Sequence, residues 1–112
     1  MENLSLLELE ILNRLSSKYP LVKLHIPYLK VKSRQKTGVG MYVNFTYTDE
    51  IVERLKISDS SISSNDIIMI EGLKSGLNYE VDVTDGKLNF IEIVSNGEPW
   101  DGTLKDFFFI QI

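Results

Sequence analysis

The sequence predicts an α+β fold, an N-terminal helical hairpin packed on one face of a mainly antiparallel sheet of four to six strands. Three observations predict it. A helical apolar stripe follows a capping signal near the start of the chain. Two stretches between residues 28 and 48 alternate with the period of strands. Residues 76–100 read as two long strands folded back on one another. The 112 residues are expected to form one domain over 1–112, large enough for a core around a single sheet.

Ser5 followed by Glu8 is a capping-box pattern, and Leu4, Leu7, Ile11 and Leu15 share a stripe with Leu12 beside it, so a helix is expected near residues 3–17. Pro20 suits the first turn of a second, short helix that ends before Pro27, with Leu21 and Leu24 on one side. From Tyr28 to Lys36, Leu29, Val31 and Ser33 alternate with Lys30, Lys32, Arg34 and Lys36, which predicts a strand with a basic outer stripe. Gly38-Val39-Gly40 turns the chain into a second strand whose Met41, Val43, Phe45 and Tyr47 make the buried face. A short helical turn through Ile51, Val52 and Leu55 is expected next. A polar loop over 58–66 follows, then a short strand at Ile67–Ile70 and a bend over 71–76.

The central hairpin is the firmest inference. Leu77, Tyr79, Val81 and Val83 alternate with Asn78, Glu80, Asp82 and Thr84, and Asp85-Gly86 supplies the turn. In the return strand Leu88 and Phe90 share one phase while Ile91 and Ile93 share the other, so either both faces are partly covered or a bulge shifts the register near Phe90. Trp100, after a turn fixed by Pro99, is expected to plug the end of the core. In the tail, Phe107, Phe109 and Gln111 fall on one side of an extended segment and Phe108, Ile110 and Ile112 on the other. The tail is therefore expected to be sandwiched, either as an inner strand beneath the helices or at a subunit contact, the latter giving a homodimer.

The composition, 43% hydrophobic and 25% charged, belongs to a water-soluble domain, and no apolar run approaches the ~20 residues of a membrane span. The first residues lack a basic, then apolar, secretory pattern, so the expected address is the cytoplasm and no membrane partner is expected. Without cysteine there are no disulfides, thiolate metal sites or cysteine nucleophiles. The net charge of −4 is unevenly spread. Seven bases and no acid lie between Ile11 and Thr48, whereas eight acids against three lysines lie between Glu71 and Asp106.

No catalytic or cofactor signal survives scrutiny. His25 has no partner at metal-ligand spacing and is expected at the surface or in a cap. Gly38-Val39-Gly40 lacks the third glycine of a dinucleotide loop and runs into a strand. Glu80 with Asp82, or Glu92 with Glu98, could pair as acid and base, but solvated carboxylates are the simpler reading. The basic stripe lacks the aromatic interleaving of a nucleic-acid binder. Were it beside the central hairpin, Lys30, Lys32 and Arg34 would be neutralised by Glu80 and Asp82.

Ser33-Arg34-x-x-Thr37-Gly38-Val39-Gly40, then Asp85-Gly86-x-Leu88, Glu92 and Gly97-Glu98-x-Trp100, resembles a widespread group of small bacterial proteins with SRxxTGVG and DGxLxxLE…GExW motifs. The likeness covers roughly residues 33–100, with Ile91-Glu92 in place of Leu-Glu and Asp82 where an apolar residue is usual. The group carries no established activity. The resemblance implies an immunity protein, the partner of a toxin.

Together these readings give a non-enzymatic binding protein with no cofactor and no metal. The expected role is that of a cytoplasmic immunity protein that neutralises a basic, nuclease-type toxin through acidic Glu80, Asp82, Glu92, Glu98 and Asp101. The alternative is a small enzyme or ligand-binding domain with a pocket between helices and sheet near Arg34, Tyr42 and Trp100.

Overall fold

The computed structural model describes residues 1–103 and 106–111. It is α+β. Helix α1 (Leu6–Lys18) and the short α2 (Leu21–His25) precede the strands β1 (Leu29–Lys36), β2 (Gly40–Tyr47), β3 (Ser60–Ile62), β4 (Asp66–Met69), β5 (Leu77–Thr84), β6 (Lys87–Ser95) and β7 (Phe108–Gln111). All pairings are antiparallel, in the order β1-β2-β6-β5-β4-β7, with β3 beside β5. No helix among the described residues is long and apolar enough to cross a membrane.

The capping box forms as the sequence implies: Ser5 Oγ accepts the Glu8 N–H, and Glu8 Oε1 accepts the Ser5 N–H at 2.7 Å. Leu7, Ile11, Leu12 and Leu15 then enter the core against Val43, Ile91 and Ile93 of the sheet. Full burial of each such side chain contributes roughly 1.5–3 kcal/mol. In α2 the buried residues are Val22 and His25, while Leu24 is exposed, so the apolar side expected from Leu21 and Leu24 is the wrong one. Five residues of helix are too few for periodicity to identify the inner face, which the neighbouring chain decides.

At the β5–β6 turn both Asp85 and Gly86 have positive φ (55° and 79°), the conformation of a two-residue type I′ hairpin. The bulge expected near Phe90 is present. Asp82 pairs with Phe90 and Val83 with Leu88, so Asn89 is the extra residue and Leu88, Ile91 and Ile93 are all buried. Trp100 plugs the core edge, its Nε1–H donating to the Thr103 carbonyl at 3.2 Å. The stretch expected to be a polar loop contains β3, because Ile62 is buried opposite Val81 and draws Ser60 and Ser61 into pairing.

A second bulge overturns the basic stripe. Val31 pairs with Phe45 but Ser33 pairs with Asn44, which leaves Lys32 as an extra residue in β1. Beyond it the alternation inverts. Ser33 joins the outer face, where Asn44 Nδ2 donates to its hydroxyl at 3.0 Å, and Arg34 turns under the sheet toward α1. Nor does β1 lie beside the central hairpin; β2 and β6 stand between it and β5. Lys30, Lys32 and Arg34 therefore do not meet Glu80 and Asp82.

The tail is an edge strand rather than an inner one. Among the described residues, Phe108 to Gln111 pair with β4 alone; Phe107 and Phe109 pack against the core and Phe108 and Ile110 are exposed on the opposite side. Ile112, placed on that second side by the alternation, lies outside the described residues.

Candidate functional site

Four charged or polar constellations stand out, and three of them are used up in holding the fold. In the first, Glu8 is fully buried and both its oxygens are engaged by Arg34: Nε to Oε2 at 2.8 Å and Nη2 to Oε1 at 2.9 Å. With the Ser5 amide on the same carboxylate, both Glu8 oxygens have donors. These bonds to Glu8 also raise the Arg34 pKa.

In the second, buried Asp66 accepts Tyr79 Oη at 2.5 Å, Ser64 Oγ at 2.9 Å and Arg14 Nη1 at 3.1 Å, while the Arg14 guanidinium stacks 4.1 Å from the centre of the Phe109 ring. Burial and the bond to Asp66 push the Tyr79 phenol well above its ordinary pKa. This network pins β7 to α1.

His25, expected at the surface or in a cap, has no exposed area at all. The Leu55 carbonyl, 2.7 Å from Nε2, can only accept, so Nε2 carries the proton. In the neutral ring Nδ1 then accepts the Tyr47 hydroxyl at 2.7 Å, and that hydroxyl accepts the Leu88 N–H at 2.8 Å. The relay joins α2, the 3-10 turn at Glu53–Leu55, β2 and β6. It is a structural staple with no free group.

The fourth constellation is open. The face of the sheet turned away from the helices has no fully buried residue. Across its middle, Tyr42 on β2, Glu92 on β6 and Glu80 on β5 stand in one row of register partners. The Tyr42 hydroxyl donates to Glu92 Oε2 at 2.9 Å, which raises the phenol's pKa, and Ser61 Oγ donates to Glu80 Oε2 at 3.1 Å. Phe90 packs edge-on against Tyr42, with ring centroids 5.4 Å apart, and its register partner Asp82 is held by Thr84 and Asn89. Among the described residues no lysine or arginine forms an ion pair with Glu80, Asp82 or Glu92.

Thus the structure brings together three of the five acids singled out in the sequence, and adds Tyr42 and Phe90. Glu98 and Asp101 lie beyond the end of β6 in other roles. Glu98 accepts the Ser75 and Lys74 amides at 2.9 and 3.1 Å, and Asp101 accepts the Thr103 amide at 2.8 Å; these bonds hold both carboxyls below their ordinary pKa. Arg34, Tyr42 and Trp100 do not converge. Arg34 is under the sheet with Glu8, Tyr42 is on the opposite face, and Trp100 lines an open cleft of about 700 Å³ with Glu71, Leu73 and Asp101. Phe90 was legible in principle, because a bulge that sends Leu88 inward leaves Phe90 on the wet face. Among the described residues no three His, Asp or Glu side chains are placed to hold a metal ion.

Compared with known proteins, the chain matches no family model, no curated protein and no solved structure.

Proposed function

We propose that this chain is a non-enzymatic binding protein whose open sheet face receives a cationic protein surface, and that it serves in the cytoplasm as the immunity partner of a basic, nuclease-type toxin. The observation that carries this reading is the row Tyr42–Glu92–Glu80 with Phe90 and Asp82 beside it. Its carboxylates are accessible, form no ion pair with a lysine or arginine among the described residues and lie beside a pair of aromatic rings. A fold gains nothing by placing like charges opposite each other, whereas an acidic field around an aromatic centre speeds encounter with a basic partner and supplies anchoring area once docked. A toxin that grips nucleic acid through basic residues would be blocked by the same surface.

The reading rests on chemistry that a charge reversal removes. Proteins encoded in the genomic neighbourhood of this chain are titrated with the wild type and with a Glu80→Lys, Asp82→Lys variant, following affinity against salt and the loss of any nuclease activity. The wild type binds, more weakly as salt rises, and inhibits; the variant loses both. An unchanged affinity and salt dependence in the variant would refute the site.

A further inference from the structure

The two ends of the sheet are finished differently. At the β1 end, Glu2 bridges Val31 through two backbone hydrogen bonds of 3.0 and 2.8 Å, a bulge sits at Lys32, and Lys30, Lys32 and Lys36 stud the strand. These are the devices by which edge strands avoid pairing with other chains. The β7 end has none of them. No charge, proline, glycine or bulge interrupts residues Phe107 to Gln111, no described segment covers the outer edge of β7, and Phe108 and Ile110 are 59% and 44% exposed. Together with half-buried Ile67 and Met69, their register partners on β4, they make an apolar strip on the open face, separate from the acidic row.

We propose that β7 pairs antiparallel with β7 of a second copy of this chain, in the register centred on Phe109. Two arguments select a second copy and this register. A two-fold axis through a continuous antiparallel sheet must pass beside a single residue, because residues directly opposite share a face and neighbours along a strand do not. Centring on Phe109 places Phe108 opposite Ile110 of the partner copy twice, so the exposed apolar pair completes itself. Centring on Phe108 instead would set Ile110 against charged Asp106, and centring on Ile110 would leave Phe109 against Gln111. The strand is also uncharged from Phe107 to Gln111, so two copies meet without like-charge repulsion despite a net charge of −4 on each chain. The acidic rows of the two copies remain open on the joined sheet, and the inference is independent of what binds them.

Sedimentation of the full chain over a range of concentrations, with Ile110→Lys and the double variant Phe108→Glu, Ile110→Lys, tests both the dimer and its register. The wild type is expected to be a dimer. Ile110→Lys should weaken dimerisation about tenfold or more while melting cooperatively, since it sets an ammonium against Phe108. The double variant should regain dimerisation in a salt-sensitive form, because each introduced carboxylate then faces an introduced ammonium of the other copy. A wild type that stays monomeric throughout would overturn the proposal. A folded Ile110→Lys variant that dimerises as the wild type does would overturn it too. Should that variant fail to fold, Phe108→Glu alone carries the same test, with the same two outcomes.

Discussion

Glu80 on β5 stands directly opposite Glu92 on β6, on the sheet face that the helices leave open. Like charges in that position repel across the strands by a few tenths of a kcal/mol to about 1 kcal/mol. Replacing Glu80→Gln should therefore raise stability by roughly 0.2–1 kcal/mol while weakening any cationic partner. The urea midpoint of unfolding reads the first effect. A lowered midpoint would mean that Glu80 supports the fold through Ser61 and is not held there against the fold's interest.

Arg34 and Glu8 behave in the opposite sense. Arg34→Ala leaves a carboxylate with no exposed area and without its cation, at an expected cost of about 3–5 kcal/mol. Lys32→Ala, two residues away on the bulge and exposed, should stay within about 0.5 kcal/mol. Denaturant unfolding of the two variants side by side decides whether the apparent basic stripe is one surface or, as the bulge dictates, two environments.

Tyr47 sets an alkaline limit. Burial raises its pKa from 10.0 to about 12. The unfolded chain thus gives up this proton first, and stability should fall as pH rises from about 10 toward 12, with Tyr79, also raised, acting in the same direction. Tyr47→Phe removes the acceptor of the Leu88 N–H and the donor to His25. It should cost about 1–3 kcal/mol at neutral pH and flatten the alkaline decline. Unfolding midpoints measured from pH 8 upward that show no decline would contradict the burial of this relay.

Deleting residues 107–112 should leave the protein insoluble or unfolded. The deletion strips Phe107 and Phe109 from the core, removes the ring under Arg14 and bares the edge of β4, in a domain with about 5–15 kcal/mol of stability in total. Solubility and heat-induced unfolding of the truncated chain test it. A soluble, cooperatively melting monomer would show that the tail is peripheral.

Much of the fold was legible because long elements repeat their signal. The Ser5–Glu8 box, the stripe through Leu15 and the alternation from Leu77 to Val83 each state one period over several turns or pairs, and α1, β2, β5 and β6 follow them. The misses share a cause. One extra residue at Lys32 inverts the faces of everything after it in β1. No local pattern marks that bulge, because Arg34 is drawn inward by Glu8, 26 residues away. The burial of His25 is not legible for a similar reason: its partners Tyr47 and Leu55 are distant in sequence, and only the fold shows that they satisfy a buried ring. Of the candidate site, Glu80, Asp82 and Glu92 were readable as wet-face residues of a hairpin. Glu98 and Asp101 looked equivalent by charge alone, and their difference lies in backbone amides that loop geometry brings to them.

The most direct test of the acidic face as a docking surface is amide chemical-shift mapping with a nona-arginine peptide, repeated at raised salt. The account predicts shifts concentrated at Tyr42, Glu80, Asp82, Phe90 and Glu92, fading together as salt screens the charges. Shifts that spare those residues and gather instead around Glu71, Glu98 and Asp101 would contradict it.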